Sequence, residues 1–205
     1  MTLQLGPHFY TFIPASIPGK AVLLLLHGTG GDENDLVPLG QIMMPGAAII
    51  SPRGNDVENG MARFFRRLAS GVFDQQDLVA RTHELAQFVE LALVEHDLTT
   101  SEIVAVGFSN GANVAASLLM LHPGLLTAAA LLHGMMPLDD VPAVDLSGTR
   151  VFVAGGKIDT LITLAQSQAL EQVLLKANAA VTAYWSDDGH TITPGEFAAV
   201  KVWMN

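Results

Sequence analysis

Short runs of consecutive hydrophobic residues recur along this chain of 205 residues. A strand that is covered on both faces needs no polar alternation, and short apolar runs are typical of such strands. The predicted strands are Ala21–Leu26, Ala47–Ser51, Ile103–Phe108, Ala128–Leu132, Val151–Ala154 and Val181–Trp185. A further run, Phe9–Ile13, is followed by the short Pro-containing stretch Pro14–Gly19. We therefore expect this run to add an antiparallel strand at the edge of the sheet.

Four longer stretches carry apolar residues at helical spacing. In the first of them, Leu78, Leu85, Val89 and Ala92 form one stripe. The predicted helices are Gln75–Glu95, Asn110–Leu121, Leu164–Ala177 and Pro194–Met204. Because strands and helices alternate, we expect an α/β fold whose mostly parallel sheet carries helices on both faces. The length suits one such domain over residues 1–205, with no large lid domain.

The composition excludes several classes of function. The chain has 20 Asp and Glu residues against 10 Lys and Arg residues, a formal net charge of −10 that would repel nucleic acid and anionic membranes. No cysteine is present, so disulfides, thiolate metal sites and a cysteine nucleophile are excluded. The N-terminal residues do not resemble a secretion signal, and no apolar run is long enough to cross a bilayer. We expect a cytoplasmic protein without nucleic-acid partners or integral membrane association.

The segment GFSNG at residues 107–111 joins a predicted strand to a predicted helix. A GxSxG sequence in this context is typical of a nucleophile elbow, a sharp turn that exposes a serine hydroxyl. Side chains two positions before and after the serine would collide in such a turn, and Gly107 and Gly111 have none. Ser109 is therefore the candidate nucleophile.

A serine nucleophile needs a base, and His190 is the candidate. It follows the last predicted strand, where a loop can carry it over the carboxyl edge of the sheet, and its late position fits the Ser, acid, His order of α/β-hydrolases. The acid should follow the strand Val151–Ala154, as Asp159 does. Asp187 and Asp188 share the loop of His190 and are more typical of turn residues. A helix cap is the alternative role for Asp159.

The segment HGTGG at residues 27–31 directly follows the strand Ala21–Leu26. Its glycines leave backbone N–H groups unobstructed, as in the loops that stabilise an oxyanion in esterases. We predict that the N–H groups of Thr29 and Asn110 form an oxyanion hole. A phosphate-binding loop fits less well, because Glu33 stands where the third glycine of GxGxxG belongs. A tight turn without a catalytic role is the remaining alternative.

The segments HGTGGDENDLVPLG, RFFRRL and GFSNGANVAASLLMLHP, with the late Asp159 and His190, resemble the phospholipase/carboxylesterase family of α/β-hydrolases, which is related to the acyl-protein thioesterases. The resemblance covers nearly the whole chain and implies an α/β-hydrolase fold, a triad of Ser109, Asp159 and His190, and no cofactor. Asn110 in SNGAN is similar to the small bacterial carboxylesterase branch, whereas the thioesterase branch usually has Gln after the serine. One departure is Thr160, because family members commonly have Pro directly after the acid.

The implied chemistry is two-step acyl transfer, in which His190 removes the proton of Ser109 and water later hydrolyses the acyl-enzyme. We expect a serine carboxylesterase that acts on short to medium acyl esters. A metal site is not predicted, because the sequence has no HExxH and no other cluster with ligand spacing. Two alternatives stay open: an acyl-protein thioesterase or lysophospholipase with the same triad, and a hydrolase-fold binding protein without turnover.

The sequence defines the substrate pocket less well. Six apolar residues are candidates for an acyl groove or for the core: Phe64, Phe65, Phe73, Met135, Met136 and Leu161. Arg63, Arg66 and Arg67 concentrate positive charge, which is compatible with binding of a carboxylate-bearing substrate or with an ion-paired surface. Met and Leu residues between positions 119 and 138 are compatible with a homodimer interface or with the core.

Overall fold

The computed structural model describes residues 2–69, 71–99 and 101–204. The strands in these ranges are β1 (Thr2–Leu5), β2 (His8–Ile13), β3 (Val22–Leu26), β4 (Ile49–Pro52), β5 (Asp56–Glu58), β6 (Met61–Arg63), β7 (Arg67–Ala69), β8 (Val72–Phe73), β9 (Ile103–Phe108), β10 (Ala128–Leu132), β11 (Arg150–Gly156) and β12 (Ala180–Ser186). The helices are α1 (Val37–Met43), α2 (Gln75–Glu95), α3 (Asn110–Leu121), α4 (Leu164–Lys176) and α5 (Pro194–Met204).

The central sheet has eight strands in the order β1-β2-β4-β3-β9-β10-β11-β12. The pairs β1 with β2 and β2 with β4 are antiparallel, and all the following neighbours are parallel. The register aligns the strand ends, since Leu26 lies opposite Gly107, and Leu132 lies opposite both Phe108 and Ala154. The carboxyl ends of β3, β9, β10 and β11 therefore meet at one edge of the sheet, which is where α/β proteins bind ligands.

Both faces of the sheet are covered, as the continuous apolar runs predict. In β3, Val22, Leu24 and Leu26 belong to one buried cluster, and Leu23 and Leu25 belong to a second one. Residues of α2, α3 and α4 complete the first cluster, and residues of α1 and α5 complete the second. Because alternate residues of a strand point to opposite faces, every position in β3 is buried. The predicted α/β fold, with a mostly parallel sheet between helices, is confirmed.

The predicted helices Gln75–Glu95, Asn110–Leu121 and Pro194–Met204 have the same bounds in the structure, and the third predicted helix, Leu164–Ala177, ends one residue earlier. The prediction that Phe9–Ile13 forms an edge strand is wrong, although β2 is antiparallel as expected. Residues 2–5 form β1, which lies outside β2 and is joined to it through a turn with Gly6 at φ +56°. The short alternation of Thr2, Leu3, Gln4 and Leu5 is typical of such a half-buried strand.

The short elements between β4 and α2, together with α1, have no counterpart in the sequence prediction. β5 to β8 form two small antiparallel hairpins of two to three residues per strand, too short to show a period. α1 has seven residues and no side-chain cap at its N-terminus. No helix in the described ranges is both long enough and apolar enough to cross a membrane.

Candidate active site

Ser109 occupies the turn between β9 and α3, at the carboxyl edge of the sheet. Its backbone has φ 53° and ψ −114°, a conformation that non-glycine residues adopt rarely and at a cost. A side chain added at Gly107 would overlap the carbonyl group of Gly111, and one added at Gly111 would overlap that of Leu26. The two glycines thus allow β9, the turn and β3 to pack closely, which gives the sharp turn that GxSxG predicts.

The structure brings Ser109, His190 and Asp159 into one line of hydrogen bonds. His190 Nε2 lies 2.9 Å from Ser109 Oγ, and His190 Nδ1 lies 2.7 Å from Asp159 Oδ2. A carboxylate only accepts hydrogen bonds, so Nδ1 carries a proton, and Nε2 faces the serine hydroxyl. The three residues follow β9, β11 and β12, which places them together although 31 and 81 residues of chain separate the bonded pairs.

Asp159 is buried and accepts hydrogen bonds on both carboxylate oxygens. Its Oδ1 accepts from the backbone N–H groups of Leu161, at 2.8 Å, and Ile162, at 3.0 Å. Burial alone would raise the pKa of Asp159, but hydrogen bonds from His133, Ile162, His190 and Leu161 outweigh it, and the pKa lies below its usual value. The side chain is therefore an ionised, fixed partner for His190.

His133 also contacts Asp159, and the sequence analysis did not identify it. It directly follows β10, and its backbone φ is 51°. Nδ1 lies 3.0 Å from Asp159 Oδ2, and Nε2 lies 3.1 Å from Glu196 Oε2 at the start of α5. The His133 ring and the Glu196 side chain are fully buried. The recognisable signals are a histidine directly after a buried strand and an acidic residue in the first turn of a mainly apolar helix.

The pKa of His133 is raised above its ordinary value. Burial acts to lower it, but the hydrogen bonds and negative charges of Glu196 and Asp159 outweigh this effect. His133 then holds protons on both ring nitrogens and donates one to each carboxylate. Buried charges in proteins are stable when they are paired and hydrogen-bonded in this way.

The HGTGG loop is fixed by one hydrogen bond within the loop and by another from the segment between β4 and β5. His27 Nδ1 lies 2.6 Å from the carbonyl oxygen of Gly28 and donates to it, which leaves Nε2 to accept from the N–H group of Gly54 at 2.9 Å. Burial lowers the pKa of His27, so the ring is neutral. In the described residues, neither the N–H of Thr29 nor that of Asn110 donates to a protein acceptor. Both residues line the pocket beside Ser109.

A pocket of about 340 Å³ opens onto Ser109 and His190. Of the six apolar candidates, three line it: Phe73, Met135 and Leu161. Phe64 and Phe65 are buried in the core instead, and Met136 packs against that core. Two amide side chains fix the wall, since Asn110 Oδ1 accepts from the N–H of Phe64 at 2.8 Å and Asn113 Oδ1 accepts from that of Met135 at 2.9 Å.

The three arginines of RFFRRL have different environments. Arg63 and Arg67 line the pocket, whereas Arg66 lies outside it. The Arg66 side chain is 58% exposed, and its Nη2 lies 2.7 Å from Asp74 Oδ2. Arg66 thus belongs to an ion-paired surface, one of the two alternatives for this cluster.

Other polar candidates lie elsewhere or have other roles. Asp187 pairs with Lys157 on the surface at 2.7 Å, as expected for a turn residue. Among the described residues, the group of side chains close enough to share a metal ion is His133, Asp159 and His190. Nδ1 of each histidine is already bonded to Asp159 Oδ2. We therefore interpret this group as a hydrogen-bond network.

Comparison with known proteins identifies the family. The model of the phospholipase/carboxylesterase family matches residues 11–205. The chain belongs to this family. The resemblance seen in the sequence is thereby confirmed, and so is the α/β-hydrolase fold without a large lid.

Several proteins similar to this chain are named as hydrolases or carboxylesterases. Bacillus subtilis MhqD, named as a hydrolase, is 45% identical over 182 residues, which are 89% of this chain and 91% of that protein. The Bacillus cereus carboxylesterase, known from a crystal structure, is 46% identical in sequence to this chain. The two structures match with a TM-score of 0.94 over 96% of this chain and 93% of that one. A carboxylesterase from Mesorhizobium loti is 35% identical, with a TM-score of 0.92 over 99% and 98% of the two chains.

Proposed function

We propose that this member of the phospholipase/carboxylesterase family is a serine carboxylesterase that forms an acyl-enzyme on Ser109. The observation that supports this most directly is the line of hydrogen bonds from Ser109 Oγ through His190 to Asp159 at the wall of the pocket. The same geometry recurs in serine hydrolases of unrelated folds and is recognised by these contacts. Its family membership and its carboxylesterase neighbours agree with an ester substrate.

In the first half of the reaction, Ser109 Oγ attacks the ester carbonyl carbon while His190 Nε2 takes the hydroxyl proton. The tetrahedral intermediate collapses, the C–O bond to the alcohol breaks, and His190 returns that proton to the leaving alkoxide. In the second half, water attacks the acyl-enzyme while His190 takes a proton from it. The C–O bond to Ser109 then breaks, His190 returns the proton to Ser109 Oγ, and the carboxylic acid leaves. Asp159 stays ionised throughout and stabilises the His190 imidazolium that forms in each half.

The N–H groups of Thr29 and Asn110 are proposed to bind the oxyanion. Both residues line the pocket, and neither N–H group donates to another protein group in the described part of the chain. Donors already fixed in place stabilise the developing negative charge without reorganisation, and removal of one such donor in a serine protease costs about 100-fold to 1,000-fold in rate. The hydrogen bonds of His27 hold the Thr29 loop in position for this role.

The pocket volume, about 340 Å³, lies at the lower end of the range for small-molecule sites. We propose that it accepts short to medium acyl chains. Acyl esters of p-nitrophenol from acetate to palmitate, and the matching thioesters, test this preference. Maximal kcat/KM at butyrate to octanoate is expected, whereas a maximum at palmitate or a strong thioester preference would favour the thioesterase or lysophospholipase alternative.

The experiment that tests the mechanism combines a fluorophosphonate probe with hydrolysis of p-nitrophenyl butyrate. We expect an adduct on Ser109, located by mass spectrometry, and a loss of at least about 1,000-fold in kcat for Ser109→Ala. Ser101→Ala is a matched control, because Ser101 lies in the loop before β9 and does not line the pocket. Absence of both adduct and hydrolysis in the wild-type protein would contradict the proposal and favour a binding protein.

A further inference from the structure

Two guanidinium groups line the pocket that contains Ser109 and His190. They belong to Arg63 at the end of β6 and to Arg67 at the start of β7. The chain has 10 Lys and Arg residues against 20 Asp and Glu residues, so two of its few cations lie in one small cavity. Neither has a role in the acyl-transfer steps described above, which leaves their position at the reacting serine to be explained.

The carboxylates that balance the charge of these two arginines do not line the pocket. Arg67 Nε lies 2.9 Å from Glu58 Oε1, and Arg63 Nε lies 3.6 Å from Glu58 Oε2, so one carboxylate serves two guanidinium groups. Asp56 acts on Arg63 only through its charge. Neither Asp56 nor Glu58 lines the pocket. An anion in the cavity would thus meet the guanidinium groups before it met the carboxylates.

Arg63 is held rigidly, and its charge is only partly compensated. Its side chain is 3% exposed, Nη1 donates to Thr29 Oγ1 at 2.7 Å, and Nε donates to the carbonyl oxygen of Phe65 at 3.3 Å. Burial lowers the pKa of Arg63, and the charge of Arg67 acts in the same direction against the charge of Glu58. A negative charge placed between the two arginines would relieve this repulsion.

Arg67 is the group that can reach a ligand. Its side chain is 32% exposed, and within the described ranges its terminal nitrogens, Nη1 and Nη2, donate to no protein acceptor. Two adjacent N–H groups of a guanidinium match the two oxygens of a carboxylate. The geometry therefore leaves a bidentate donor open to the same cavity as the nucleophile.

We propose that the pocket selects esters that carry a second, ionised carboxylate, which Arg67 binds directly while Arg63 adds positive potential. This rests on the proposed esterase function and specifies its substrate class. The natural substrates would be monoesters of small dicarboxylic acids, or small esters with the carboxylate on the alcohol side. The size of the pocket limits the distance between the ester and the carboxylate to a few bonds.

The test compares pairs of esters that differ only in this charge. Monomethyl adipate and methyl 6-amino-6-oxohexanoate differ on the acyl side, and 4-acetoxybenzoate and 4-acetoxybenzamide differ on the alcohol side. For each pair, the ratio of kcat/KM for the anion to kcat/KM for the amide is measured in the wild type, Arg67→Gln, Arg67→Lys and Arg66→Gln. Arg66→Gln is the matched control, since it removes one positive charge from the same segment but outside the pocket.

We expect Arg67→Gln to lower the ratio about tenfold for at least one pair, as loss of a charged hydrogen bond would. Arg67→Lys should restore part of it, Arg66→Gln should leave it unchanged, and high salt should reduce it in the wild type. An equal ratio in wild type and Arg67→Gln for both pairs would overturn the subsite. A decrease of the ratio in Arg66→Gln as large as that in Arg67→Gln would overturn it as well. If the wild type hydrolyses p-nitrophenyl butyrate but neither member of either pair, the subsite fails while the esterase function stands. If it hydrolyses none of these esters, the esterase function fails, and the subsite with it.

Discussion

Asp159 accepts hydrogen bonds from two imidazoles, those of His190 and His133, on the same carboxylate oxygen. His133 is also bonded to Glu196, and the two carboxylates raise its pKa and favour its protonated form. The ring centroids of His133 and His190 are 5.3 Å apart. At this distance, the positive charge of His133 opposes the formation of imidazolium on His190 and partly offsets the attraction of Asp159. The buried pair thus adjusts the base of the proposed triad without contact with substrate.

This argument predicts a shifted pH profile for Glu196→Gln. Without the carboxylate of Glu196, His133 loses a main cause of its raised pKa and shifts toward its neutral form, while its Nδ1 still donates to Asp159. The His190 imidazolium then forms more easily. The acid limb of kcat/KM against pH should therefore move to higher pH.

The pH profile separates this electrostatic effect from general damage, which would lower the rate equally at all pH values. Glu90→Gln is a suitable control, because Glu90 is an exposed residue of α2. An unshifted acid limb in Glu196→Gln would contradict the assignment of a charged His133.

At the residue scale, the sequence predicts local geometry where a short motif carries the constraint. GFSNG predicts the turn at Ser109, and the positions of Asp159 and His190 after their strands bring both into hydrogen-bond contact with each other. Glu196 was missed because it meets His133 across 63 residues of chain, through the packing of α5 beside β10 and β11. No local sequence pattern predicts the contact between His133 and Glu196. Buried polar pairs of this kind depend on tertiary contacts.

At the scale of elements, the unit formed by β9, the turn and α3 is the part most constrained by close packing. A Cβ atom at Gly111 would overlap the carbonyl group of Leu26 in β3, which is backbone and cannot rotate away. We expect Gly111→Ala to lower the free energy of unfolding by about 3 kcal/mol or more, since β3 and α3 would have to separate. Activity should fall at the same time, because Ser109 would move with the turn.

Chemical denaturation of both forms measures this cost. Gly60→Ala is the matched control, since Gly60 has φ +80° but no atom within 4 Å of its added Cβ, so that only the backbone strain of alanine is tested. That strain should cost about 1 kcal/mol. Equal losses in the two variants would contradict the steric argument and would indicate that the turn at Gly111 adjusts freely.

Element prediction followed the strength of the periodic signal. The buried strands and the four longer helices were predicted because each spans enough residues to show its pattern. Strands of two to three residues in β5 to β8 cannot show one, and they carry Arg63 and Arg67 to the pocket. Phe64 and Phe65 illustrate the same limit, since the sequence could not separate pocket from core, and both are buried. Residues that short hairpins bring to the pocket wall can therefore be identified only from the structure.

At the scale of the whole molecule, buried histidines make the free energy of unfolding depend on pH, and some of them also belong to the candidate active site. His8 and His27 are buried, and burial lowers the pKa of each below its ordinary value of 6.5. The unfolded chain therefore binds more protons than the folded one just below pH 6.5. The stability that His8 and His27 contribute is present above pH 6.5. It is lost as the pH falls through the pKa values that they have in the folded protein. His133 acts in the opposite sense, because its raised pKa adds stability below pH 6.5 that is lost as the pH rises through the folded value.

The hydrogen bonds of His27 link the loss of stability at low pH to the HGTGG loop. Its Nδ1 donates to Gly28, and its Nε2 accepts from Gly54, so a second proton cannot be added without loss of the Gly54 hydrogen bond. We expect the free energy of unfolding to fall between about pH 8 and about pH 5.5, and this fall to be smaller in His27→Gln, which does not titrate. Urea denaturation at both pH values measures the difference, with His83→Gln as a control for an exposed histidine. If the fall is as large in His27→Gln as in the wild type, protonation of His27 does not cause it. His8, the other buried histidine whose pKa burial lowers, then becomes the group to test.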